Sequence, residues 1–102
     1  MIKGLIIMPA VTRLGDICTG HGCFPPRASI SCSSNVFVNG VPVVRVGDNY
    51  AAHGCSHCAA HPGKLVSGSA TVFINGRPAG RVGDAISCGS SVAVGSPNVS
   101  IG

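Results

Sequence analysis

The residues of this 102-residue chain best suited to chemistry are four histidines and six cysteines. His21 lies in one segment, and His53, His57 and His61 lie together in a second. The cysteines are Cys18, Cys23, Cys32, Cys55, Cys58 and Cys88. Imidazole nitrogen and thiolate sulfur are the donors that borderline-soft zinc prefers in tetrahedral sites. Two other uses of the cysteines stand beside metal binding. Six of them could form a disulfide framework, and residues such as Cys18 and Cys32 could be small buried apolar side chains. Acids are scarce: three Asp and no Glu. That removes the H-E-x-x-H proteases and the H-x-E deaminases, both of which need a glutamate as acid or base.

The three acids are regularly placed. Each closes an Arg-x-Gly-Asp, at Arg13, Gly15 and Asp16, at Arg45, Gly47 and Asp48, and at Arg81, Gly83 and Asp84. The 14 residues 35–48 lie over residues 71–84 at an offset of 36, with nine identities. Residues 13–23 lie over 45–55 at an offset of 32, with six identities in eleven. A serine followed by a strand-like element, at 33–38, 69–74 and 96–101, completes a unit present three times. Repetition of this kind points to an architecture built from equivalent units.

Local chemistry gives each unit its form. Val36-Phe37-Val38 and Val72-Phe73-Ile74 are strand formers. Asn39-Gly40 and Asn75-Gly76 demand type I′ hairpin turns. Pro42 and Pro78 belong at an edge or bulge. In Arg-x-Gly-Asp the glycine supplies an unusual backbone angle and the Asp caps the turn. The Arg is expected to reach an Asp of a neighbouring unit. Residues 99–101 lack an outgoing partner and residues 10–14 an incoming one, so the two ends are expected to pair and close a pseudo-threefold ring that brings Met1 near Gly102. Phe37 and Phe73 are expected in the core, with a docking base as the alternative. The fold class is all-β.

The ring also arranges the ligands. The segments after the three Asp run 16, 20 and 11 residues before the matching serines Ser33, Ser69 and Ser96. His21 and His53 each lie five residues after their Asp, and Cys88 lies four after Asp84. Pseudo-threefold symmetry gathers these three at one end, and the longest loop supplies His61 as a fourth. Cys23, Cys55, His57 and Cys58 remain alternatives. Four protein ligands leave no open coordination position, so such a zinc is structural.

Composition excludes other classes. The net charge of +4 comes from scattered basic residues, with four aromatics and no Trp, which is a poor platform for nucleic acid. No run of about 20 apolar residues could cross a membrane. Lys3 with Leu5 to Met8 resembles a leader only faintly, since Pro9 ends the short run. A zinc hydrolase would need an open metal position and a positioned acid or base.

Pro78-Ala79-Gly80-Arg81 before Val82-Gly83-Asp84, the paired hairpins and the threefold serine element resemble the PAAR-repeat proteins across residues 9–102. Gly80 stands where the family tetrapeptide has a second alanine, Pro42-Val43-Val44-Arg45 departs further, and the first copy, from Pro9 to Arg13, carries an extra residue. The resemblance implies a small pseudo-threefold β-cone with a zinc near its vertex held by three His and one Cys, which fits His21, His53, His61 and Cys88. It also implies a structural rather than enzymatic role. One copy would cap a trimeric β-helical spike, VgrG of type VI secretion systems or its phage-tail equivalent, for membrane puncture. Such a tip is made in the cytoplasm and then secreted or carried in a virion. The repeat fills the chain as a single domain, so a bare tip or a carrier of separate effectors is expected. The remaining alternative is a small zinc-binding interaction module unconnected to spikes.

Overall fold

The computed structural model describes residues 8–55 and 58–102. The leader-like stretch, the position of Met1 beside Gly102 and the candidacy of His57 lie outside the described residues, as does the side chain of Cys58.

All regular structure among the described residues is β. Three antiparallel hairpins form: β1 (Phe37–Val38) with β2 (Val41–Pro42), β3 (Asn49–Cys55) with β4 (Cys58–Lys64), and β5 (Phe73–Ile74) with β6 (Arg77–Pro78). The two short hairpins turn at Asn39-Gly40 and Asn75-Gly76. Their φ values of 55° and 76°, and of 54° and 79°, are the double positive that the type I′ turn requires.

Around these hairpins the three units close on one another. The amide of Thr12 donates to Gly80 O, that of Gly80 to Val44 O, and that of Val44 to Thr12 O, at 3.0, 2.8 and 3.1 Å. The bridges follow the same cycle: Arg13 with Val43, Arg45 with Ala79, and Arg81 with Val11. The chain ends complete it as the unpaired strands required. Ala10 bridges Ser100, the Val11 amide donates to Val99 O at 3.0 Å, and the Ile101 amide donates to Pro9 O at 2.9 Å.

Two apolar layers lie along the axis of this ring. On the hairpin side, Val11, Val43 and Ala79 pack with Val36, Val38, Val72, Ile74, Val99 and Ile101. On the loop side, Cys18, Val44, Tyr50, Leu65, Ile86 and Val92 form a second cluster, against which Cys88 packs. Cys18 therefore serves as a small buried apolar side chain, whereas Cys32 is only half-buried. Strand alternation turns Phe37 and Phe73 away from the first layer, and they are 55% and 56% exposed. The expectation that they fill the core fails because Val36, Val38, Val72 and Ile74 already take the inward positions.

Each Arg-x-Gly-Asp is a self-contained corner. Gly15, Gly47 and Gly83 have φ of 89°, 93° and 93°. Asp48 accepts from the Arg45 amide at 2.8 Å and from Arg45 Nε at 3.0 Å, and its own amide donates to Arg45 O. The other two copies repeat this arrangement. The signature Arg thus ion-pairs within its own unit and not with a neighbour's Asp, because the turn places its guanidinium over the carboxylate three residues on. Arg13 and Arg45 reach the next unit only through Asn39 and Asn75. The ion pair between units is made instead by Arg77, whose Nη2 lies 3.3 Å from Asp48 Oδ1.

Asp48 is the most heavily engaged of the three. Burial pushes its carboxyl up, but the Arg45 side chain and amide and the Ser31 hydroxyl outweigh this and hold it below the ordinary carboxylate range. Ser67 plays the part of Ser31 for Asp84, at 3.3 Å. Removing one partner of a buried pair costs about 3 kcal/mol. Asp48→Ala should therefore lower the melting temperature by about 15 °C. Asp16→Ala should lower it less, because Asp16 is less buried. Thermal denaturation followed by circular dichroism ranks the two, and equal shifts would contradict this account.

Candidate metal centre

Three segments carry the candidate ligands. The first is a tight reversal in which His21 and Phe24 exchange backbone hydrogen bonds of 3.0 and 2.8 Å around Gly22, whose φ is 53°. The second, read from the sequence as a loop, is the hairpin β3–β4, the longest among the described residues. Its Ala, Gly and Pro content hides a strand, and its pairing is supported by flanking bridges from Ser29 to Tyr50 and from Leu65 to Ile86. In its register His53 faces His61 across the strands. The third is a short turn in which the Gly89 amide donates to Ile86 O, with Gly89 at φ 98°, and it carries Cys88.

The ligand atoms of His21, His53, His61 and Cys88 all lie within 4.8 Å of one another. His21 Nε2 is 3.1 Å from both His53 Nε2 and His61 Nε2, and the last two are 2.8 Å apart. His53 is buried, and the others are half-buried. The Pro25 carbonyl, which can only accept, lies 2.8 Å from His53 Nδ1. The proton of neutral His53 therefore sits on Nδ1, and Nε2 presents a bare lone pair to the other two imidazoles. With Nε2 unprotonated on His21 and His61 as well, the three lone pairs converge on a position one cation can occupy. Tetrahedral zinc with bonds of about 2.0 to 2.1 Å sets its nitrogens roughly 3.3 Å apart, close to the spacing here.

Lost hydration first, then the neighbouring His53 and His61, hold His21 below the ordinary imidazole value. It is therefore neutral and able to ligate near pH 7. Phe24 covers the trio, with its ring centroid 4.7, 5.1 and 4.4 Å from those of His21, His53 and His61. Nothing in the sequence pattern marked Phe24, since its place depends on the reversal at Gly22.

Two cysteines weighed as ligands have another role. Cys23 and Cys55 form a disulfide, so neither offers a thiolate to the centre. Metal binding and disulfide bonding were alternatives in the sequence; in the structure the disulfide stands beside the histidine cluster. Each of its cysteines lies two residues beyond a candidate ligand, His21 or His53. The two are 32 residues apart, and a cross-link over that span removes about 3 to 4 kcal/mol of unfolded-chain entropy.

Gly63 is the close approach that admits Cys88. A Cβ there would lie 2.6 Å from Ile86 Cγ2 and 3.1 Å from Cys88 Sγ. Gly63→Ala should displace Cys88 and, if the cluster holds a divalent metal, weaken its affinity by about tenfold or more. Competition with a chromogenic chelator measures it. A pH series supplies a second check. Because His21 is depressed in the folded state, the unfolded chain binds more protons below the ordinary value of 6.5. Stability should be fully present above that pH and fall as pH drops below it. A melting temperature that is flat between pH 7 and 5 would contradict this sign.

A family model described as PAAR motif matches residues 56–102. No curated protein matches the chain. The matched stretch holds His61, Cys88 and the third Arg-x-Gly-Asp, and the same corner and hairpin occur upstream with equivalent hydrogen bonds. Residues 56–102 thus carry a PAAR motif, and the match supports a PAAR-repeat protein.

Proposed function

We propose that this protein is a metal-stabilised tip that caps a trimeric β-helical spike of the VgrG type, in a type VI secretion system or a contractile phage tail. The PAAR motif is the motif of a structural spike-tip family. The observation that carries the reading is the apolar layer on the hairpin side of the ring. Val36 and Val38, Val72 and Ile74, and Val99 and Ile101 form three equivalent pairs that are only partly buried. One monomer thus offers a trimer three similar apolar contacts in a single copy, and burial against the spike would complete the half-covered layer. The spike end of the transported apparatus is the corresponding location.

At the other end of the units, His21, His53, His61 and Cys88 would hold zinc. Three imidazoles and one thiolate suit zinc by softness and number, and a filled tetrahedron leaves no site for a reacting water. The role is therefore to fix the loops at a point. In a domain with short strands, that fixation supplies folding energy. A spike serves as the carrier to a target membrane, and separate effectors would travel by attachment to the exposed flanks.

Val38→Asp places a charge in the layer to be covered. Binding to the cognate spike trimer should weaken by about a hundredfold, or about 3 kcal/mol. The zinc content should not change. Size-exclusion chromatography with light scattering reads both affinity and the stoichiometry of one chain per trimer. Wild-type protein that stays monomeric with the trimer at micromolar concentration would overturn capping.

A further inference from the structure

We propose that the Cys23–Cys55 disulfide is a redox-controlled latch on the metal centre, closed in an oxidising compartment and open in a reducing one. The inference rests on the zinc reading above. Three observations support it. The bond joins equivalent positions of two units, each two residues past a candidate ligand, so it ties the His21 segment directly to the His53 strand. Cys23 is exposed, which leaves its sulfur open to thiol–disulfide exchange. The third unit contributes its Cys88 to the histidine cluster and has no share in the bond, so the latch couples the two segments that supply all three imidazoles.

In the dithiol form, the His21 reversal is held by its own backbone bonds and by the Gly20 amide's bond to Ser90 Oγ at 2.9 Å. Opening that segment removes one imidazole from the set. In the disulfide form, opening would have to carry β3 along with it. Preorganisation of this kind slows ligand loss without adding a contact to the metal.

The chemistry balances with a small-molecule disulfide as oxidant. The thiolate of Cys23 attacks one of its sulfurs and releases a thiol. Cys55 then attacks the mixed disulfide and releases a second. The Cys23 Sγ–Cys55 Sγ bond forms, and the oxidant takes up two electrons and two protons.

The test uses wild-type protein loaded with zinc, one portion oxidised with glutathione disulfide and one reduced with a phosphine removed before measurement. Non-reducing peptide mass spectrometry reports the Cys23–Cys55 bond, and a chromogenic chelator reports zinc release. The oxidised form should release zinc about tenfold more slowly or slower still. The Cys23→Ser, Cys55→Ser double variant should release at the reduced rate whatever the oxidant. Equal rates from two fully loaded forms, faster release after oxidation, or no Cys23–Cys55 bond under oxidant would overturn the latch and leave the zinc reading intact. Failure of both forms to bind zinc would overturn the zinc reading and the latch with it. The comparison of wild-type states does not depend on the double variant folding.

Discussion

Three backbone hydrogen bonds hold the rest of the structure in place. The amides of Thr12, Gly80 and Val44 each donate to the next member's carbonyl, and the cycle closes. All three residues are buried, so an amide left unpaired there would have no water to replace its partner. The triangle leaves little room for side chains at the axis. Gly80 shows this: a Cβ would lie 2.6 Å from Leu65 Cδ2 and 2.9 Å from Thr12 Cγ2. Ala in the family tetrapeptide gives way to Gly here at the point where three units crowd one line.

From that triangle the two ends of the molecule diverge in chemistry. On the hairpin side, strands of two residues alternate between the apolar layer and the flank. Serine hydroxyls and asparagine amides then link unit to unit, as in Ser33 Oγ to Asn75 Oδ1 at 2.6 Å and Ser96 Oγ to Asn39 Oδ1 at 2.5 Å. Ser69 donates to the Gly102 carbonyl, where a main-chain oxygen takes the asparagine's part. On the loop side the units differ in length, and the symmetry ends in unlike side chains, three imidazoles and a thiol, gathered in one cluster. Strands this short carry little stability of their own. The corners, the serine–asparagine links and the disulfide together do the work that longer sheets do elsewhere.

The Arg-x-Gly-Asp corners connect these ends. Each redirects the chain from the ring into its loop, with a glycine in a positive-φ conformation and a carboxylate closing on the arginine three residues earlier. A local motif of this kind folds the same way in all three copies, because the arginine–aspartate bonds that close it span three residues. That locality explains both why the motif repeats and why its arginine ion-pairs with its own Asp, reaching the next unit only through an asparagine, as Arg45 does with Asn75, while the ion pair between units falls to Arg77.

By itself the sequence determined whatever depends on neighbouring residues or on repetition. The Asn-Gly turns, the Arg-x-Gly-Asp corners, the three units and the closing of the chain ends all follow from spacing and turn chemistry. The gathering of His21, His53, His61 and Cys88 was legible for the same reason, as a consequence of equivalent positions around a ring. Tertiary structure alone decided the rest. It made residues 49–64 a hairpin, because flanking units pair with strands whose Ala, Gly and Pro content carries no strand signal. It joined Cys23 to Cys55, a pairing that spacing left open among six cysteines. It placed Phe24 over the imidazoles and turned Phe37 and Phe73 outward. These depend on which face a residue presents after distant segments meet, and that is fixed by packing between units rather than by anything encoded beside the residue.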